Sequence, residues 1–183
     1  RQSLDAKSFM PPNLNKGALM SAAIFGDGAA AAVLGEAQSD EQRASTPAVS
    51  CFTQRYFRGT RDLVSNETFA NGYAGFIFSP KVPAFVHDHI LEATTGFFKR
   101  YNLGFSDFNA LAFHPGGTKV MQAVEESLGI SSHDLRYSYK VLEQEGNMVG
   151  PTAMFVLQKA MQDVKTGKIL LVGMGPGFSM AHV

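Results

Sequence analysis

One stretch of the 183-residue chain carries residue types suited to chemistry: Phe113-His114-Pro115-Gly116-Gly117, with a second polar group downstream in Gly146-Asn147-Met148. The apolar run Leu111-Ala112-Phe113 reads as the end of a buried strand. It delivers His114 into a turn that proline and two glycines keep tight and open to a ligand. A helix is expected to follow at once. An imidazole at a strand end, beside bare backbone and a helix N-terminus, can hold a developing negative charge. A histidine that serves only the turn is the other reading, and this stretch alone leaves both open.

The elements that must position these groups follow from pattern and punctuation. Residues 2–9 read weakly as a strand, broken by Met10-Pro11-Pro12-Asn13. Asn15 to Ile24 reads as a short helix capped by Asn15, with Leu19, Met20 and Ala23 inward. Phe25-Gly26-Asp27-Gly28 is a sharp turn, and the small and branched run Ala29 to Leu34 predicts a strand buried on both faces. A polar loop spans 36–47, residues 48–57 alternate as a strand, 58–72 read as a long surface loop, and 73–79 as a short strand.

Lys81 to Tyr101 is the clearest helix: Phe85, His89, Ala93 and Phe97 fall on one face, with Val86, Ile90 and Phe98 beside it. His87 and His89 are two residues apart and do not share a face, which excludes them as a metal pair and puts His89 in the apolar stripe. Asp107 to Phe113 leads into a strand, Thr118 to Leu128 is an amphipathic helix stopped by Gly129, and Leu135 to Glu145 is a helix ended by Gly146. Residues 149–164 form a further helix with Pro151 in its first turn, so Asn147 lies just outside its N-terminus. Lys168 to Gly173 is a strand, Gly173 to Gly177 a rigid loop, and Phe178 to Val183 a closing strand. Strands alternate with helices, so the fold class is α/β with a mixed sheet layered by helices.

Bulk properties narrow the function. Hydrophobic residues make up 45% and charged residues 17%, as in a chain with a real core. Lys+Arg and Asp+Glu are 16 each, so no overall field points to nucleic acid or a membrane surface. No apolar run approaches the ~20 residues of a membrane-spanning helix. The single cysteine, Cys51, rules out an internal disulfide and fits a cytoplasmic protein. It falls in a predicted strand, as a buried and inert thiol. The chain opens on Arg1, which suggests a fragment or processed chain.

Four motifs occur in order: Phe25-Gly26-Asp27-Gly28-Ala29-Ala30, His114-Pro115-Gly116-Gly117, Gly146-Asn147-Met148 and Gly173-Met174-Gly175-Pro176-Gly177. Together they resemble the C-terminal half of a type III polyketide synthase, the chalcone and stilbene synthase family. Related condensing enzymes differ: ketoacyl-ACP synthases III usually carry another tetrad after the histidine, and long-chain ketoacyl-CoA synthases have alanine where Pro115 stands.

The resemblance implies the C-terminal half of a thiolase-like fold over residues 1–183, and decarboxylative condensation of malonyl-CoA onto an acyl-CoA starter, followed by cyclisation. His114 and Asn147 match the catalytic histidine and asparagine. Both would donate hydrogen bonds to the malonyl thioester oxygen, and the histidine would pair with a cysteine thiolate. Phe25 and Phe78 match gatekeepers. Gly116 and Gly117 would line the pantetheine path, and Gly175, Pro176 and Gly177 would shape the cavity wall. CoA thioesters are the substrates, with no metal and no further cofactor. The nucleophilic cysteine belongs to an N-terminal half absent from this sequence, which would be the required partner within a homodimer. Val149 stands where plant chalcone synthases usually have serine. Two alternatives are a ketoacyl synthase releasing a linear product, and a non-catalytic fragment that needs its N-terminal partner.

Overall fold

The computed structural model describes residues 23–36, 38–40, 46–68 and 74–183. In chain order its strands and α-helices are β1 (Thr53–Tyr56), β2 (Val64–Thr68), β3 (Ala74–Phe78), α1 (Val82–Tyr101), β4 (Ala110–Phe113), α2 (Thr118–Leu128), α3 (Arg136–Glu145), α4 (Gly150–Asp163), β5 (Ile169–Gly175) and β6 (Ser179–His182). Four strands form a mixed sheet in the order β1-β6-β5-β4. β4 and β5 run parallel, with Phe113 opposite Val172, and β6 runs antiparallel to both β5 and β1.

The two-residue period of a strand divides the core between the sheet's faces. Leu111 and Phe113 of β4, with Leu170 and Val172 of β5, pack on one side with Val86, Ile90 and Phe97 of α1 and Met121 and Val124 of α2. Ala110 and Ala112 face the other side, where Val141 of α3 and Val156 and Ala160 of α4 cover them. Alanine on β4 lets these two helices approach closely. The result is a sheet between two pairs of helices.

The helix punctuation follows the sequence. Gly129 closes α2 in the left-handed conformation at φ 64°, and Pro151 sits in the first turn of α4. β2 and β3 form a separate antiparallel pair. It is tied to the end of β5 by the Gly177 N–H on the Val64 carbonyl at 2.9 Å.

Several expectations need correction. Ala29 to Leu34 is neither a strand nor buried: it has no regular secondary structure, with Val33 99% and Leu34 80% exposed. The apolar pattern signals a covering layer, and the described residues supply no neighbouring strand to pair with it. Residues 58–72 are not one surface loop, because β2 begins at Val64 and buries Leu63, Val64 and Ser65. Only Thr53–Tyr56 of 48–57 is strand, so Cys51 precedes it and is half-buried rather than enclosed. β5 extends through Gly175, so the glycine-rich loop after it is shorter than the motif. The strand at 2–9 lies outside the described residues, as does all of the helix at 15–24 but Ala23 and Ile24, which are helical.

Candidate active site

The parallel pair β4–β5 ends at one edge of the sheet, and a cavity opens there, as ligand sites do beyond the carboxyl ends of such strands. His114 follows β4 directly. Its N–H donates to the Val172 carbonyl at 2.8 Å, so the ladder holds the backbone one residue past the strand. Among the described residues β4 is an edge strand, and Ser138 of α3 satisfies its open side. The Ser138 hydroxyl donates to the Phe113 carbonyl at 2.7 Å and accepts from the Phe113 N–H at 3.1 Å. The imidazole is 7% exposed, and burial among apolar groups pulls its pKa down to about 4. It is therefore neutral at pH 7.

Asn147 comes from the opposite direction, between α3 and α4, and is 2% exposed. Its Nδ2 donates to the Gly116 carbonyl at 3.2 Å, which bridges the asparagine to the turn after His114. Its Oδ1 accepts from the Val149 N–H at 2.8 Å and from the Thr152 hydroxyl at 3.3 Å. Val149 holds φ at 62°, a conformation that costs a β-branched residue about 1–3 kcal/mol.

The segment at 24–28 is clamped onto the same loop. The Gly26 N–H donates to the Asn147 carbonyl at 2.9 Å, and the Asn147 N–H to the Ile24 carbonyl at 3.3 Å. A side chain at Gly28 would collide with Met148, so glycine is required for that approach. The clamp sets Phe25 edge-on to Phe78, ring centres 6.0 Å apart.

The cavity is lined by His114, Asn147, Phe25, Phe78, Gly116, Gly175 and Pro176 from the sequence reading. Val64, Val82, Val120, Val149, Met174 and Phe178 complete the wall. Gly117 and Gly177 are not in it. Gly117 instead starts α2 with φ at 142°, and Gly177 turns the chain between β5 and β6 at φ 66°. Cys51 also lies outside the cavity wall. Ser138 and Thr152 were not anticipated. Their only signal was a hydroxyl residue on an otherwise core-facing helix surface, which does not say what it will meet. Among the described residues no group of three or more His, Cys, Asp or Glu is placed to hold a metal ion.

Comparison with solved structures shows the thiolase-like fold of type III polyketide synthases. The solved structure of PKS-I from the brown alga Ectocarpus siliculosus superimposes with a TM-score of 0.75 over 93% of this chain and 47% of that one, at 24% identity. The C-terminal type III polyketide synthase domain of Steely1 from Dictyostelium gives a TM-score of 0.64 over 72% of this chain and 38% of that one, at 19% identity.

Residues 48–182 match the family described as chalcone and stilbene synthases, C-terminal domain, and the chain belongs to that family. The alpha-pyrone synthesis polyketide synthase-like Pks18 of Mycobacterium tuberculosis is 31% identical over 163 residues, covering 86% of this chain and 41% of that protein. A chalcone synthase homologue of Bacillus subtilis (strain 168) is 30% identical over 178 residues, 94% of this chain and 48% of its own length. The chain thus spans less than half the length of these curated relatives.

Proposed function

We propose that this domain supplies the oxyanion-binding half of a type III polyketide synthase acting on malonyl-CoA and an acyl-CoA starter. The observation that carries the reading is the shared cavity: His114 and Asn147 arrive from separate elements and line one hollow. The Asn147 carboxamide spends one N–H on the Gly116 carbonyl and keeps the other for a ligand.

The chemistry follows from these two donors. When malonyl-CoA loses carbon dioxide, the bond between the carboxylate and the α-carbon breaks. Its electron pair becomes an enolate, with charge on the thioester oxygen. Hydrogen bonds from His114 and Asn147 to that oxygen lower the barrier, each by about 3–4 kcal/mol. The enolate carbon then attacks the starter acyl carbon, the same donors serve the resulting tetrahedral oxyanion, and its collapse breaks the acyl carbon–sulfur bond and releases the cysteine thiolate. The starter would be held on a cysteine contributed by the N-terminal half of the full-length protein. A neutral imidazole can take the proton from that thiol. The thiolate formed then offsets the burial that otherwise disfavours the imidazolium. Cyclisation of the extended chain would complete the reaction, within a homodimer.

In the full-length protein, His114→Ala and Asn147→Ala are each expected to cut malonyl-CoA decarboxylation at least about a hundredfold. Near-normal decarboxylation in both variants refutes the assignment. Product analysis with short and long acyl-CoA starters separates cyclising chemistry from ketoacyl synthesis, because only the former yields pyrones or aromatic rings. The 183-residue chain by itself is expected to show no condensation, since its one cysteine lies outside the cavity wall.

A further inference from the structure

The reading above leaves the hydroxyl of Thr152 unused. Thr152 is the third residue of α4 and is fully buried. Its oxygen accepts the Met148 N–H at 2.8 Å, so its proton is available to Asn147 Oδ1 at 3.3 Å. The Val149 N–H reaches the same Oδ1 at 2.8 Å. Two donors on one carboxamide atom require that atom to be oxygen. A flipped side chain would set its NH2 against the Val149 N–H and its oxygen against the Gly116 carbonyl.

The backbone donor rests on a strained support, because Val149 holds a positive φ. Thr152 ties that loop at both ends: it takes the N–H of the residue before Val149 and gives its own proton to the side chain Val149 bonds. We infer that Thr152 is a positioning residue for Asn147. It fixes the carboxamide with Nδ2 toward the cavity, so that the N–H not given to Gly116 meets the thioester oxygen without reorientation. Preorganised donors of this kind act because they need not rearrange as charge develops. The inference rests on the proposed role of Asn147 and goes beyond it by naming the group that sets its orientation.

The test uses the full-length protein and malonyl-CoA decarboxylation. Thr152→Val keeps the volume and removes the hydroxyl. It is expected to lower kcat about ten- to a hundredfold, the scale of a small misplacement of a reacting group, with KM within about twofold. Thr152→Ser, which restores the hydroxyl, is expected to recover most of the rate. In an Asn147→Ala background, Thr152→Val should cause no further loss, because the partner through which it acts is gone. An unchanged kcat in Thr152→Val overturns the inference while leaving Asn147 in its role. So does an equal fractional loss in both backgrounds, which marks a purely structural effect. Full decarboxylation by Asn147→Ala alone would instead remove the role proposed for Asn147, and the inference with it.

Discussion

Burial of His114 and His182 is expected to make the stability of the domain sensitive to acid. Both are buried, and burial pulls both pKa values down to about 4. His182 sits against Thr94, with Nε2 3.1 Å from the hydroxyl, and stacks on Phe97 at 5.5 Å between ring centres. In the unfolded chain each imidazole titrates near the ordinary value of 6.5. Between those values the unfolded state binds the extra protons. Stability is therefore full above about pH 6.5 and falls as the pH drops toward 4, by up to about 3 kcal/mol for each histidine. Urea unfolding at pH 7 and pH 4.5 should show this loss, and His182→Gln should remove a share of the pH dependence. A flat stability profile across that range would contradict the buried neutral state. The sequence placed His114 at a strand end but could not give its protonation state, which depends on side chains that converge from β2, α1 and α2.

At the scale of elements, the strand that presents His114 is held from outside the sheet. Among the described residues β4 has a ladder partner on one side only, and Ser138 of α3 satisfies both backbone groups of Phe113 on the other. Ser138→Ala would leave a buried N–H and a buried carbonyl without partners. The expected cost is about 2–4 kcal/mol, read from denaturant midpoints at constant m-value. Decarboxylation in the full-length protein should also fall, because the backbone ahead of the imidazole loosens. Elements of this kind were legible where the signal is local. Helix α2 ends where Gly129 forces it, α4 carries Pro151 in its first turn, and the stripe of α1 follows its 3.6-residue period into the core. Legibility failed where the deciding partner lies elsewhere in the chain. β2 forms from a charged, asparagine-containing stretch because β3 pairs with it and Gly177 ties it to the β5 edge. Of the wall residues, Val120 reads as an ordinary core position of an amphipathic helix, Met174 as part of the glycine-rich motif, and Val82 carries no signal of its own. Only the meeting of three elements makes them part of a cavity.

The molecule as a whole presents surface built to be covered. Ala29 to Leu34 has the composition of a strand buried on both faces, yet it is exposed and without regular secondary structure, with Val33 and Leu34 nearly bare. Val49, Phe52 and Tyr56 add exposed apolar area on and before the edge strand β1. An apolar segment with no strand partner among the described residues offers its side chains to another polypeptide. In the full-length protein the N-terminal half is the proposed cover. The 19.8 kDa chain alone is then expected to associate with itself. Light scattering should report a mass well above that of one chain at micromolar concentration. Val33→Asp combined with Leu34→Asp should shift the distribution toward monomer without lowering the denaturant midpoint, because neither side chain is packed in the described structure. A strictly monomeric parent chain would show that the bare segment carries no association. A charged variant that unfolds would show that the segment already has a partner within the chain.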